Sequence, residues 1–293
     1  MSKEKKLVII KNNFYIFKKI CFLLIVFFIL FLNILYSKDS KNFLNKNEIL
    51  VSILPIKGVL SNILGKNIKY YNIEVILKVG MGHHTTDISP VLIKKLNSFN
   101  YILSFNSLEI EKILLTKANK DKLINLYDGD YILNDPHVWL SLKNLKKIYS
   151  NAYNLIYNID KSNYKYYKSN LDKILAKIEL YDNLFKNKFK NSKDKYILTY
   201  HNEYYYFARD YNLKIISYEY NETEASLRDI QKIVKLINDD KILFILTTPY
   251  YNNAVFEKLL SKTKKRIKIV KVDSFNEDTL QVFWQIYSFQ FLK

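Results

Sequence analysis

A long stretch near the middle of the chain carries a helical pattern without a single Gly or Pro. Between residues 142 and 189 the apolar residues recur at the three- and four-residue spacing of an amphipathic helix. Asp160, Lys161 and Ser162 are expected to break this stretch into two helices, the second running from about residue 163 to residue 190. That helix is longer than most helices of globular proteins. The fold must therefore be arranged along a helical spine.

On both sides of this spine the sequence alternates between strand and helix patterns. Such alternation is typical of βαβ units and a mostly parallel sheet. The strand patterns cover residues 48–54, 72–79, 101–105 and 122–128 before the spine, and 196–200, 213–220, 242–248 and 266–272 after it. The predicted fold class is α/β, with two lobes of mostly parallel sheet joined by a long rigid backbone helix. The predicted domains are an N-terminal lobe (48–141), a helical linker (142–190) and a C-terminal lobe (191–293).

The first 37 residues have the pattern of an export signal. Residues 1–19 contain six lysines and one acid, and residues 20–36 are apolar except for Asn33. A charged segment followed by an apolar one is typical of a secretory leader. Ser37 is small but Leu35 and Tyr36 are not, so a removed signal peptide and an uncleaved membrane anchor both stay open. Either way we expect the folded part outside the cytoplasm, in the periplasm or on the outer face of the membrane.

Cysteine usage and charge exclude several classes of site. Cys21 is the only cysteine and belongs to the leader, so the exported part has no thiolate ligand and any metal must be held by nitrogen and oxygen. The net charge is +18, and +13 without residues 1–37, but the basic residues are spread along helical segments. This favours solvated lysine faces and contact with an anionic membrane surface. A nucleic-acid-binding or adhesive surface protein is a rival suggested only by the charge and the tyrosines.

All four histidines follow predicted strands. His83 and His84 lie after the second strand, His137 after the fourth, and His201 directly after the strand at 196–200; Asp273 closes the last strand. In open α/β sheets, ligands bind beyond the carboxyl ends of the strands. His84, His137, His201 and Asp273 are therefore candidate metal ligands, two from each side of the spine. Imidazole and carboxylate are suitable ligands for zinc.

Each of these residues also has a purely structural reading. A histidine at a strand end is often a capping or surface residue, a strand-end Asp273 can cap a turn, and Glu277 or Asp278 could take its place as a ligand. Four protein ligands would close a tetrahedral shell, which holds a metal rather than activating water. The alternative function is an extracytoplasmic zinc-dependent hydrolase with Glu203 as general base, although no motif such as HExxH fixes one. We expect Trp139 to be a core anchor.

Four motifs occur in a recognisable order along the chain. They are VSILPIKGVLSNILGKNI, HHTTDISP, NDPHVWLSLKN and TYHNEYYYFARDYNL. Together they resemble bacterial metal-uptake solute-binding proteins, the extracytoplasmic zinc- or manganese-binding components of ABC transporters, from about residue 48 to the C-terminus. The resemblance implies two α/β lobes joined by a long rigid helix, with the metal in the cleft between them. It also implies a membrane permease and its cytoplasmic ATPase as partners, and no enzymatic activity. We further expect a monomer that does not bind nucleic acid.

The resemblance also implies the ligand positions. In HHTTD, His84 takes the first ligand place, His83 the place of the family's proline and Asp87 the acidic place. The second, third and fourth places fall on His137, His201 and Asp273.

Histidine at position 201 bears on the identity of the metal. Zinc-type members carry His at this third place, whereas manganese-type members usually carry Glu. Three imidazoles favour zinc in the same way, since manganese prefers oxygen, and manganese is kept as the alternative. The chain departs from the family pattern because residues 115–135 lack the His- and acid-rich loop that some zinc members carry.

Overall fold

The computed structural model describes residues 20, 23–31, 47–77, 88–133, 135–220, 223–251 and 254–291. The chain divides into two units, residues 1–47 and 48–293. In the first unit residues 23–31 are helical and their apolar side chains are exposed. None of the helices in the described part of the chain combines the length and the apolar character needed to cross a bilayer. The rest of the predicted leader lies outside the described residues.

The N-terminal lobe is built on a four-stranded sheet with the order β2-β1-β3-β4. The pairs β1 with β3 and β3 with β4 are parallel. The apolar run of β1 is buried over its last five residues, as expected for a parallel strand covered on both faces. The elements are β1 (Asn47–Ile53), α1 (Leu54–Leu64), β2 (Tyr71–Leu77), α2 (Pro90–Lys95), β3 (Tyr101–Ser104), α3 (Glu109–Lys117) and β4 (Leu123–Asn125).

Two helices form the spine, α4 (Leu142–Ile159) and α5 (Tyr164–Phe189). Ser141 caps the start of α4, because its hydroxyl accepts a hydrogen bond from the Asn144 backbone N–H at 3.0 Å. Asp160 ends α4, and its carboxylate accepts hydrogen bonds from the Ser162 N–H and the Tyr167 hydroxyl. Both spine helices pack against α1 and against each other. The predicted break at residues 160–162 is therefore present.

The C-terminal lobe repeats the architecture with a parallel sheet of the order β10-β9-β5-β6. A two-stranded antiparallel ribbon, β7 with β8, follows β6. The elements are β5 (Tyr196–Thr199), α6 (Tyr205–Asp210), β6 (Lys214–Ser217), β7 (Glu219–Tyr220), β8 (Thr223–Glu224), α7 (Leu227–Asn238), β9 (Ile242–Thr247), α8 (Ala254–Leu260), β10 (Ile269–Lys271) and α9 (Thr279–Phe291).

The predicted fold class is confirmed, and the differences are local. The pattern at 213–220 was expected to be one strand, but the chain leaves the sheet after Ser217 and continues in the ribbon, where Glu219 pairs with Glu224. The strands predicted at 122–128 and 266–272 are shortened to three residues each. Both are edge strands, which pair on one side only. The domain limits at 141–142 and 190–191 stay a prediction.

One hydrophobic cluster runs from the N-terminal sheet through the spine into the C-terminal lobe, and a second cluster lies within the C-terminal lobe. The first cluster contains residues as far apart as Val51, Ile178 and Phe244. The lobes also touch at α1, where a Cβ added to Gly58 would lie 1.6 Å from the carbonyl oxygen of Glu277. Only glycine permits this approach. We expect a continuous core of this kind to restrict hinge motion between the lobes.

Candidate metal centre

His137 lies at the point where the N-terminal lobe passes into the spine. Its side chain is completely buried. The Nδ1 atom lies 2.7 Å from Oδ1 of Asp135, which also accepts the backbone N–H of His137 at 2.9 Å. The other carboxylate oxygen of Asp135 accepts the backbone N–H of Tyr205 at 2.9 Å. One buried carboxylate thus orients the imidazole and binds the first residue of α6 in the opposite lobe.

His201 occupies the corresponding position in the C-terminal lobe. It follows β5 and is 1% exposed, and its Nδ1 lies 3.0 Å from Oε1 of Glu219. The register of the sheet explains this contact. Thr199 of β5 is paired with Ser217 of β6. His201 and Glu219 each lie two residues after this pair, so they meet beyond the carboxyl ends of the two strands.

The two imidazoles, one from each lobe, lie close together. Their ring centroids are 6.1 Å apart and their planes are inclined by 81°. With Nδ1 of each ring directed to a carboxylate, Nε2 is the atom oriented for coordination, as in carboxylate–histidine–metal arrangements. In zinc sites the ion lies about 2.0–2.1 Å from each coordinating imidazole nitrogen. Among the described side chains, however, no group of three His, Cys, Asp or Glu is arranged as a complete set of ligands.

The first predicted ligand lies outside the described residues. His84 belongs to residues 78–87, together with His83 and Asp87. This segment connects β2, which ends at Leu77, to the Ser89 cap of α2. The assignment of His84 therefore stays a prediction from the sequence.

Asp273 follows β10 at the edge of the C-terminal sheet and is half-buried. Its carboxylate accepts hydrogen bonds from the Phe275 N–H at 3.0 Å and the Tyr250 hydroxyl at 3.1 Å. Asp273 thus caps a turn, as the structural reading proposed, and this role orients its carboxylate. Glu277 and Asp278, the two other acids considered as ligands, make different contacts. Glu277 pairs with Lys57 at 3.1 Å, and Asp278 caps the start of α9.

Glu203 is a buried carboxylate beside these residues. It is 3% exposed, and burial raises the pKa of its carboxyl group to about 7, against the opposing effects of His137 and of a hydrogen bond with Ser274. The next residue, Tyr204, has a φ of 69°. This left-handed backbone in a non-glycine residue costs on the order of 1–3 kcal/mol and is concentrated at functional sites.

The charges around His137 oppose the effect of its burial. Burial by itself would lower the pKa of the imidazole. The hydrogen bond to Asp135 and the charges of Asp135 and Glu203 outweigh burial, so the pKa of His137 lies above its ordinary value. The surroundings of His137 therefore favour positive charge on its imidazole.

Trp139 fills the core beneath the site, as expected. It is completely buried, packs on Phe105 and Phe275 at centroid distances of 5.7 and 5.1 Å, and donates Nε1–H to the Ser274 carbonyl at 2.8 Å. Because Phe275 and Ser274 follow Asp273, Trp139 ties the loop of that acid to the N-terminal lobe.

Sequence reasoning did not assign a role at the site to Asp135 or Glu219, and it considered Glu203 only as a general base. Asp135 had a local signal, since it precedes His137 by two residues in DPH. Glu219 had none, because its approach to His201 follows from the pairing of β5 with β6. Burial of Glu203 likewise depends on how the two lobes pack.

Replacing Asp135 with Asn tests the orientation of His137. An amide cannot accept with both of its heteroatoms, so one of the contacts to His137 or Tyr205 is lost. We expect zinc affinity to fall about 10–100-fold, the usual effect of losing the partner of a ligating histidine. Calorimetric titration of Asp135→Asn measures this, with Asp128→Asn as the control, since Asp128 is exposed. Unchanged affinity in Asp135→Asn would contradict this role.

Comparison with known proteins identifies the family to which this sequence is similar. The model of a family described as zinc-uptake complex component A, periplasmic (ZnuA), matches residues 49–287. A metal ABC transporter substrate-binding lipoprotein of Lactococcus lactis is 27% identical over 67% of this chain and 71% of its own length. The high-affinity zinc uptake system protein ZnuA of Bacillus subtilis is 31% identical over a shorter match, 38% of this chain and 36% of its own.

Solved structures show the same fold. A crystal structure of ZnuA superimposes with a TM-score of 0.68 at 21% identity, over 83% of this chain and 96% of that one. Fe(III)-bound YtgA from Chlamydia trachomatis has a TM-score of 0.66 at 18% identity, over 82% and 96%. A Mn-bound periplasmic metal binding protein from Candidatus Liberibacter asiaticus has a TM-score of 0.68 at 19% identity, over 84% and 100%.

Proposed function

The chain belongs to the family of periplasmic zinc-uptake components, the solute-binding proteins of metal ABC transporters, and from this premise we propose that it captures zinc outside the cytoplasm. Proteins of this family bind metal and are not enzymes. One observation carries the proposal: two buried imidazoles from opposite lobes, His137 and His201, lie 6.1 Å apart with their Nδ1 atoms on carboxylates.

The proposed ligands are two residues from each lobe. His84 and His137 come from the N-terminal lobe, and His201 and Asp273 from the C-terminal lobe. Three neutral imidazoles and one carboxylate leave a divalent ion with one net positive charge, in a closed shell that suits holding the ion. Asp135 and Glu219 keep two of these imidazoles in the tautomer that presents Nε2.

Zinc is proposed over manganese because imidazole predominates among the ligands. In the proposed set all four coordination positions are taken by the protein, whereas a zinc hydrolase needs an open position. Solved proteins of the same fold are described with manganese and with ferric iron. The metal preference of this chain is therefore the first property to measure.

Substrate-binding proteins of ABC transporters work with a membrane permease and an ATPase. We propose that this chain delivers its ion to such a permease, driven by an ATPase in the cytoplasm, and that it acts in the periplasm or on the outer face of the membrane. The continuous core through the spine supports a release step that needs the permease, because it restricts spontaneous opening of the lobes. The basic surface supports contact with anionic lipid.

Elemental analysis of the full-length protein, purified under native metal supply, tests this function. We expect one zinc ion per chain, and calorimetry should give a higher affinity for zinc than for manganese. The same preparation should not hydrolyse simple esters or phosphates. Absence of tight binding for either metal would overturn the proposal, and hydrolytic turnover that tracks the metal content would revive the hydrolase alternative.

A further inference from the structure

Gly58 lies in the middle of helix α1, where glycine is an unfavourable residue. Inside a helix, glycine loses more conformational freedom on folding than alanine does. The backbone of Gly58 is helical and its φ is not positive, so its conformation does not require glycine. The requirement comes from the other lobe, because a Cβ at Gly58 would overlap the carbonyl group of Glu277. That group belongs to the backbone and cannot rotate aside as the end of a side chain can.

Two neighbours of Gly58 on α1 contact the side chain of the same glutamate. Nζ of Lys57 lies 3.1 Å from Oε2 of Glu277, and the Ser61 hydroxyl lies 3.3 Å from Oε1. Lys57 and Ser61 are four residues apart, so they lie on the same side of the helix. Helix α1 therefore holds both the backbone and the carboxylate of Glu277.

Glu277 belongs to a short turn, residues 273–278, which connects β10 to α9 and begins with the candidate ligand Asp273. Internal hydrogen bonds close this turn. The backbone N–H of Phe275 donates to Oδ1 of Asp273 at 3.0 Å, and the backbone N–H of Asn276 donates to the Asp273 carbonyl at 3.1 Å. Because these bonds join Asp273 to the residues next to Glu277, a displacement of Glu277 is transmitted to Asp273.

The same turn also contacts the segment of the N-terminal lobe that carries His137. The indole of Trp139 donates to the Ser274 carbonyl at 2.8 Å, and the ring of Phe275 lies 6.1 Å from that of His137. The turn is thus packed between α1 and this segment. Ligand distances in a metal site hold to within about 0.2 Å, so a shift of the turn should misplace its carboxylate.

We propose that Gly58 is a positioning residue of the metal site. By admitting the backbone of Glu277 against α1, it sets the position of the turn and thereby that of the Asp273 carboxylate. The inference rests on the proposed function, in which Asp273 is a ligand. Lys57 and Ser61 support the same arrangement through the Glu277 side chain. Gly58 itself has no contact with the ion, and its role gives a reason for glycine inside this helix.

A double-mutant cycle on the full-length protein tests this role. Calorimetry measures the zinc affinity of the wild type, Gly58→Ala, Asp273→Asn and the double variant. We expect Gly58→Ala to lower zinc affinity about tenfold or more, within the range known for residues that support a metal site. In the Asp273→Asn background the same change should alter the affinity by less than about twofold, because two residues that act through one group are not additive.

Two results would overturn the role of Gly58 alone. One is wild-type zinc affinity in Gly58→Ala. The other is an equal loss in both backgrounds, which indicates a general structural effect. A wild type that does not bind zinc would instead refute the proposed function. Wild-type affinity in Asp273→Asn would remove Asp273 from the ligands, and the inference about Gly58 with it.

Lys57→Met provides the same comparison if circular dichroism shows that Gly58→Ala does not fold. It removes the cation that contacts Glu277 and adds no atom at the close approach. We expect zinc affinity to fall about two- to fivefold, as for loss of a partly exposed ion pair, and to change little in the Asp273→Asn background. Lys112→Met is the matched control, since Lys112 pairs with Glu109 within α3. Equal affinities in the two lysine variants would contradict the proposal.

Discussion

Replacing His137 with alanine is expected to abolish tight zinc binding while leaving the fold nearly intact. The variant loses a ligand and leaves the buried carboxylate of Asp135 without the imidazole that it orients at 2.7 Å. Loss of a supporting partner alone costs about 10–100-fold in metal affinity, so loss of the ligand should exceed about 100-fold. Calorimetric titration measures the affinity, and far-UV circular dichroism checks the fold.

His83→Ala is the matched control for this variant. Two adjacent imidazoles are not expected to reach one ion, and the sequence assigns the ligand place to His84. Zinc affinity should therefore remain close to that of the wild type in His83→Ala. Wild-type zinc affinity in His137→Ala would show that His137 is not a ligand, and it would contradict the proposed transport function.

Truncating Phe185 to alanine is expected to destabilise the protein by about 3–5 kcal/mol, the usual cost of removing a buried phenylalanine ring. Phe185 lies in α5 and is completely buried. Its ring meets those of Phe207, Tyr211 and Tyr287 at centroid distances of 5.0, 5.4 and 5.6 Å. It thus joins the spine to α6 and α9 of the C-terminal lobe. Urea denaturation gives the free energy of unfolding.

Leu180→Ala on the same helix provides the comparison. Leu180 is 57% exposed, and surface substitutions of this kind usually change stability by no more than about 0.5 kcal/mol. Similar losses in the two variants would show that the spine is not held by the aromatic cluster around Phe185.

The spine is the part of the fold that was most predictable. Its helical spacing extends over many turns, it lacks Gly and Pro, and Asp160 with Ser162 forms a local capping arrangement that ends α4. These signals depend on residues that are close together in the chain, so they can be recognised in a single sequence. The strands before and after the spine were located for the same reason, since each is a short apolar run between helical segments.

Strand ends were less predictable because they depend on neighbours. β10 extends over three residues although the pattern covers seven, since a strand is defined by pairing and β10 pairs with β9 alone. The passage from β6 into the ribbon of β7 and β8 has the same origin. The sequence shows one strand pattern from Leu213 to Tyr220, and the pairing partner of each residue decides where the sheet ends.

For the candidate site, residue types and strand patterns were enough to show which side chains offer metal-binding chemistry and that each follows a strand. His137, His201 and Asp273 could be selected in this way, because strand patterns are local and histidines are scarce. The tertiary structure alone decided which carboxylates support them. Glu219 reaches His201 through the register of two strands, Asp135 contacts Tyr205 across the lobes, and Glu203 is buried by packing between the lobes. Pairing register and burial arise from contacts between distant parts of the chain, so they cannot be predicted from the spacing of residues in one sequence.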